Sequence, residues 1–309
     1  TRLPVALLGG LLPLSALLYR RHLSDVETVA LAAFLAFNPV LLYYSRFFRS
    51  TLLVAGFAFV GFGLLVRLFD ERRSRYLYAF AVVLALAFGA KENAAVYVLC
   101  WLGAGALLAD HALFRPRGFE SGLDRLGALV DRPGGGAPDL AAARWLGRVG
   151  LALGAFLVVS LFLYAPRAPA DGVGLWAALA EPWRLPALVE ATVDDVAVGY
   201  GYWFGGSAEP GCNRESLAAG YACYLGRFLG TLGTYAAPLS ALAVLGFLRE
   251  RYAAAAPRSV VVAAGYWGFV SVLGYPLGTD IWGAWIVVNA LVPLAIPAAV
   301  GAGVLVETG

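Results

Sequence analysis

Residues Tyr76–Ala109 read YLYAFAVVLALAFGAKENAAVYVLCWLGAGALLA. About 20 apolar residues suffice to cross the hydrocarbon layer of a bilayer, and about 17–25 are tolerated, so this run is too long for one crossing. Its single polar interruption, Lys91-Glu92-Asn93, falls near the middle, where a hairpin would turn. The stretch therefore predicts two antiparallel membrane helices, Tyr76–Ala90 and Ala94–Ala109, joined by a tight polar turn.

The rest of the chain extends the same pattern. Seven further apolar segments, Leu3–Tyr19, Val26–Tyr44, Leu52–Phe69, Val149–Ala165, Phe228–Leu248, Val260–Leu277 and Ile281–Val306, bring the predicted spans to about nine. Of the 309 residues, 61% are hydrophobic and 14% charged, and the mean hydropathy is +0.75. A soluble domain carries about a quarter charged residues, so a water-soluble globule and a disordered chain are both excluded. A net charge of +3 offers no cationic field for nucleic acid. The fold class is all-α, a polytopic integral membrane bundle forming one domain over residues 1–309.

Basic residues orient such a bundle, because Lys and Arg accumulate in cytoplasmic loops. The turns after the first, third, fifth and seventh spans hold 15 of the 23 basic residues, among them Arg20, Arg21, Arg67, Arg72, Arg73, Arg75, Arg249, Arg251 and Arg258. That face is predicted to be cytoplasmic, which puts the first residue outside and the C-terminus inside a multi-pass plasma-membrane protein. Two longer polar stretches stand out. Residues 110–147, with Pro133-Gly134-Gly135-Gly136, read as a flexible cytoplasmic linker. Residues 166–227, rich in Trp, Tyr, Gly and acids, read as a folded extracytoplasmic loop, and loops of that length are more often functional than idle.

Candidate chemistry gathers on the outer face. Arg46 and Arg49 lie three apart within Tyr43-Tyr44-Ser45-Arg46-Phe47-Phe48-Arg49-Ser50-Thr51, so both sit on one helical face among aromatics. Guanidinium forks match phosphate oxygens bidentately; equally, a Tyr/Phe belt with snorkelling arginines is ordinary at a membrane interface. Lys91 is the only lysine in the chain, and Glu92 and Asn93 follow it. Charge between two apolar spans is costly enough to suggest a site, although a helix-capping turn would look the same. Arg2 opens the first span and Asp280, Trp282, Trp285 and Asn289 open the last. Together these ends describe a basic pocket fit for a phosphorylated lipid. The Asp194-Asp195 pair reads more simply as a cap or a solvated face. Cys212 and Cys223 share the outer loop and could bridge, whereas Cys100 lies inside a span. No residues have metal-ligand spacing and no cofactor motif is present; a divalent metal is neither required nor excluded.

Arg2-Leu3-Pro4 opening a span, the Tyr-Tyr-Ser-Arg-Phe-Phe-Arg junction, the Gly89-Ala90-Lys91-Glu92-Asn93-Ala94 hairpin and a last helix with Pro293 and Pro297 resemble the GT-C-fold membrane glycosyltransferases. Broader relatives of that kind are the protein O-mannosyltransferases and the bacterial aminoarabinose transferases. Tyr275–Trp285 and the Lys91 hairpin most resemble the archaeal flippase-activity-associated proteins. The resemblance implies a GT-C-like bundle that takes sugar from a polyprenyl- or dolichyl-phosphate carrier at the outer face, for a glycan or protein acceptor in archaeal surface glycosylation. It implies that Arg2, Arg46, Arg49 and Lys91 hold the lipid phosphate, with Glu92, Asn93, Asp280 and Trp285 lining the substrate pocket. Basic groups would stabilise the departing phosphate.

Two departures qualify the resemblance. The relatives carry a catalytic acidic pair in an outer loop before the Arg-Leu-Pro span, and this chain opens at Thr1-Arg2 with no methionine anywhere. The expectation is an N-terminally truncated chain whose catalytic acids lie upstream of residue 1, so that the piece alone is inactive. Ser50-Thr51 also stand where relatives place an acid, and a hydroxyl cannot act as a carboxylate base at neutral pH. The competing reading is a non-catalytic, flippase-associated protein that binds or helps translocate lipid-linked sugars through the same pocket.

Overall fold

A computed structural model describes residues 2–47, 49–91, 93–114, 138–167, 172–204, 212, 217–276 and 282–308. They form α1 (Leu3–Leu11), α2 (Asp25–Phe37), α3 (Pro39–Ser45), α4 (Ser50–Glu71), α5 (Ser74–Ala90), α6 (Ala94–Phe114), α7 (Pro138–Tyr164), α8 (Leu175–Ala180), α9 (Leu185–Phe204), α10 (Leu217–Tyr235), α11 (Ala237–Leu248), α12 (Ser259–Gly274) and α13 (Val288–Thr308). Tighter turns continue α1 through Leu12–Leu18 and lead into α13 at Ala284–Val287. No strand occurs among the described residues.

Local chemistry sets the breaks. Ser24 begins α2 with a capping box: its hydroxyl accepts from the Glu27 N–H, and the Glu27 carboxylate accepts from the Ser24 N–H. Pro39 biases Asn38 away from helical geometry, which ends α2. The Asn38 carbonyl oxygen of the side chain then accepts from the Val40 and Leu41 N–H groups and restarts the chain as α3, 51° away. Arg72, with φ of 51°, closes α4 in the left-handed region.

Among the described residues three helices are long and apolar enough to cross a membrane: Ser50–Glu71, Ala143–Tyr164 and Ala284–Glu307. The number rises to five if the pairs Asp25–Phe37 with Pro39–Ser45 and Ala218–Tyr235 with Ala237–Ala253 each count once. Leu3–Leu18, Ser74–Ala90, Ala94–Asp110 and Ser259–Gly274 are shorter apolar helices. The chain is an all-helical membrane protein.

One expected span is corrected, and two expected loops gain helices. Phe228–Leu248 is not one straight span, because the chain turns by 100° between Tyr235 and Ala237, where Pro238 starts α11. Residues 166–227 contain α8, α9 and most of α10 and so are largely helical. Within 110–147, α6 runs on to Phe114 and α7 already begins at Pro138; residues 115–137 lie outside the described set.

The last helix is the axis of the bundle. In the Ala284–Glu307 span 94% of the apolar window is buried, against 6% for Ala143–Tyr164, which packs at the periphery along α5. Close approach explains the difference. A Cβ placed at Gly246 would lie 2.0 Å from the Pro297 carbonyl oxygen, and one at Gly301 would lie 2.1 Å from the Leu242 carbonyl oxygen, so α11 and α13 touch backbone to backbone. Small residues permit such contact where lipid, being itself apolar, provides no hydrophobic drive between helices. Around this axis Trp267 packs against Tyr97, Trp101 and Phe62 with ring centroids 6.0, 5.6 and 5.4 Å apart.

The Glu71 end is held by charge. Glu71 gathers Arg21, Arg67, Arg73 and Arg75 at 3.3–3.7 Å, and His22 meets Asp70 at 2.8 Å. Arg258 donates to Glu27 at 2.7 Å, to Glu250 at 2.8 Å and to the His22 carbonyl at 3.0 Å, tying α2, the end of α11 and the start of α12 together. Burial alone would lower the Arg258 pKa; the hydrogen-bonded carboxylates of Glu250 and Glu27 outweigh it and raise it above the ordinary value.

Two substitutions test this frame by thermal unfolding in detergent. Gly246→Val drives a side chain into the Pro297 carbonyl and is expected to cost about 3 kcal/mol or more. Arg258→Ala strands two carboxylates and is expected to cost about 3 kcal/mol, the low end for a buried pair because Arg258 is 31% exposed.

Candidate functional site

The end of the bundle opposite Glu71 holds the sequence-predicted arginines. Helix α4 has 22 residues, which separates Arg49 from Glu71 by about 33 Å at 1.5 Å per residue. Arg2 precedes α1, Arg46 caps the C-terminus of α3 and Arg49 caps the N-terminus of α4. All three are exposed.

An aromatic chain links Arg2 to Arg49. The Arg2 guanidinium lies 6.0 Å from the Phe47 ring centre. Phe47 stacks on Tyr43 at 4.5 Å, Tyr43 meets Tyr44 edge-on at 5.1 Å, and Tyr44 meets Trp285 edge-on at 6.3 Å. Arg49 closes the chain, with its guanidinium 3.8 Å over the Trp285 ring. Stacking occupies the face of the guanidinium and leaves its N–H edges to meet an anion.

Charge pairing separates the two ends. At the Glu71 end Arg21, Arg67, Arg73, Arg75 and Arg258 all pair with carboxylates. Among the described residues no carboxylate oxygen lies within 4.0 Å of Arg2, Arg46 or Arg49. Uncompensated cations beside apolar helices form a positive surface suited to an external anion.

Lys91 caps the C-terminus of α5, half-buried, in the turn to α6. Asn93 is 4% exposed, and its side-chain carbonyl oxygen has no hydrogen-bond partner among the described residues. One helical turn further on, the Tyr97 hydroxyl donates to the Asn289 side-chain oxygen, while the Asn289 amide donates to the Ile286 carbonyl at 2.9 Å. Asn289 in turn lies one helical turn beyond Trp285. The α5–α6 turn and the start of α13 are thus coupled through a buried polar pair.

On the other flank Trp282 packs against Tyr224 and Phe228 of α10, with centroids 6.4 and 6.5 Å apart. Cys212 and Cys223 form a disulfide with Cα atoms 5.7 Å apart, which ties the chain before α10 to its second turn. Asp194 and Asp195 are both exposed on α9. Glu92 and Asp280 lie outside the described residues. Among those described, no three His, Cys, Asp or Glu side chains are grouped to hold a metal.

The structure therefore brings together Arg2, Arg49 and Trp285, with Arg46 at the end of α3, and joins α6 to the start of α13 through Tyr97 and Asn289. Tyr97 was not singled out by sequence, although it stands four residues after Asn93, on the same helical face.

Residues 1–121 match the family model of the dolichyl-phosphate-mannose-protein mannosyltransferases. The chain has GT-C glycosyltransferase relatives. Arg2, Arg46, Arg49, Lys91 and Asn93 all fall inside the matched segment, whereas Trp285 and the whole of α7–α13 fall outside it. Comparison with curated proteins and with solved structures returns no match.

The buried pair provides a measurement. Tyr97→Phe leaves the Asn289 oxygen without its donor and is expected to cost about 1–3 kcal/mol in thermal unfolding, while Leu99→Ala, on the exposed face of the same helix, is expected to change stability by less than about 0.5 kcal/mol.

Proposed function

We propose that this chain is a membrane glycosyltransferase-like protein that takes a sugar from a dolichyl- or polyprenyl-phosphate carrier and passes it to a protein or glycan acceptor. The carrying observation is the rim of Arg2, Arg46 and Arg49, which meets no carboxylate among the described residues and lies within the segment that matches the mannosyltransferase family, with Arg49 set over Trp285. In this reading the rim faces outward, the N-terminal end of α1 lies outside and the process is an archaeal surface glycosylation.

In the proposed reaction the acceptor hydroxyl attacks the anomeric carbon, and the bond to the carrier's phosphate oxygen breaks. Negative charge grows on that phosphate as the bond breaks. Cations already positioned there, with no reorganisation to make, lower the barrier, and removal of one such donor costs about 10²–10³ in kcat in other enzymes. Arg49 is the best placed, since Trp285 fixes its plane. Lys91 adds a point charge at the neighbouring turn. Tyr44, beside the Arg49–Trp285 stack, offers an apolar ring to a sugar. Asn93 carries a buried acceptor that a sugar hydroxyl would satisfy. The general base belongs to no residue named here: Thr51 is buried within the first turn of α4, and Ser50 and Thr51 carry only hydroxyls.

The test is a transfer assay on membranes bearing the full-length gene product, with radiolabelled dolichyl-phosphate sugars. Wild-type protein is expected to label an acceptor, and Arg49→Ala to lower kcat by about 100-fold or more. Asn93→Leu is expected to raise the melting temperature, by removing an unsatisfied buried acceptor, and yet to reduce transfer. Carrier binding without transfer in the wild type would replace this reading with the flippase-associated one. Absence of binding would reduce the rim to an interfacial belt.

A further inference from the structure

The apolar stretch Ala143–Tyr164 of α7 has 22 residues, enough to cross the hydrocarbon layer, and 6% of its apolar window is buried against protein. Its surface therefore faces lipid almost throughout and ends near Tyr164, where the headgroups begin.

Helix α8 is fastened at that level. The Leu175 N–H donates to the Pro166 carbonyl at 2.8 Å, just past the end of α7. Leu175 and Ala178, three apart and so on one helical side, pack with Ala165, Leu188 and Leu161. Arg167 supplies a second tie. Its guanidinium lies 4.6 Å over Phe162, in the last turn of α7, and 5.9 Å from the Trp176 ring centre. These contacts hold α8 at the height of the last turn of α7.

The side of α8 turned away from this packing is apolar too, and among the described residues it is uncovered. Trp176 and Leu179 are 60% and 57% exposed, and Trp183, in the tight turn Pro182–Arg184 that follows, is 75% exposed. A single exposed apolar side chain needs no explanation. Two tryptophans and a leucine so close together form a patch, and such a patch marks an interaction surface.

Two observations say what covers it. The first is continuity: through Arg167 the patch adjoins Phe162, which is itself exposed on the lipid-facing α7. The second is composition. Tryptophan, with an apolar ring and a polar N–H, concentrates where a bilayer meets water. The same segment carries the Glu181–Arg184 pair, and α9 follows with Glu190, Asp194 and Asp195 exposed. Charges at that density keep it out of the hydrocarbon core. Too apolar for water and too charged for hydrocarbon, the segment fits the boundary between them.

We propose that α8 and the turn after it form an interfacial foot. It lies in the headgroup–acyl boundary of the leaflet where α7 ends, with Trp176, Leu179 and Trp183 inserted into lipid. The occupant of the patch is the bilayer surface. The foot is separate from the Arg49–Trp285 rim and does not depend on the transferase reading.

The experiment measures depth by electron paramagnetic resonance on the full-length protein in phosphatidylcholine nanodiscs. Leu179→Cys and, separately, Trp183→Cys carry a nitroxide in a Cys100→Ala background; Cys212 and Cys223 are bonded to each other and do not react. Access to oxygen, which concentrates in lipid, is compared with access to a water-soluble nickel chelate. Both labels are expected about 5–10 Å into the headgroup–acyl boundary. Their ratios are expected to fall between that of Val158→Cys, exposed on the span, and that of nitroxide free in water. Either position suffices if the other variant fails to fold. A ratio equal to that of free nitroxide puts α8 in water and overturns the proposal. A ratio equal to that at Val158 puts it in the hydrocarbon core and overturns it as well. Low access to both reagents means that protein, a partner or a second copy, covers the patch, and this also overturns it. The readout needs no catalysis, so a failed transfer assay leaves it intact.

Discussion

The backbone contact between α11 and α13 is the constraint on which the other features depend. Gly246 lies against the Pro297 carbonyl and Gly301 against the Leu242 carbonyl, with no room at either position for a side chain. Proline inside a helix leaves a carbonyl four residues earlier without its usual donor, and in a membrane such a helix survives when neighbours pack closely around it. Pro293 and Pro297 both stand in α13, and α13 is also the most deeply buried of the long spans. The irregular helix is thus the enclosed one, and the regular, lipid-compatible α7 is left outside. Because α13 cannot shift without breaking this contact, the turn that leads into it presents Trp285 and Asn289 at a fixed height in the bundle.

From that anchor the candidate site follows by short steps. Trp285 holds Arg49 by its face and Tyr44 by its edge, and Asn289 accepts from Tyr97. Residues that converge at this end come from α3, α4, α6 and the start of α13. The two ends of the bundle differ in kind. At the Glu71 end four arginines surround Glu71, and Arg258 pairs with both Glu27 and Glu250, which neutralises charge and locks helix ends together. At the Arg49 end Arg2 and Arg49 lie against aromatic rings instead. A ring quadrupole holds a guanidinium without cancelling its charge, so among the described residues this end keeps an electrostatic demand that the other has met internally.

Apolar runs of near-crossing length, interrupted by single polar turns, made the all-helical membrane class legible from the residues, because burying a backbone in lipid leaves a helix as the only local solution for such segments. The Lys91-Glu92-Asn93 turn and the Arg46–Arg49 pair were legible for a related reason: charge is rare and expensive beside apolar helices, so it stands out against the background. The bend at Ala236 was not legible, since Pro238 is as acceptable in the first turn of a new helix as at a kink, and only packing chooses between them. Nor could composition separate the buried α13 from the peripheral α7, as both are equally apolar strings and lipid and protein interior look alike to a side chain. The sequence by itself determined the all-helical membrane class and where charge interrupts the apolar segments. Tertiary structure alone decided which arginines find carboxylates and which find rings, because pairing depends on which helix ends meet, and that is set by backbone contacts between residues more than fifty positions apart.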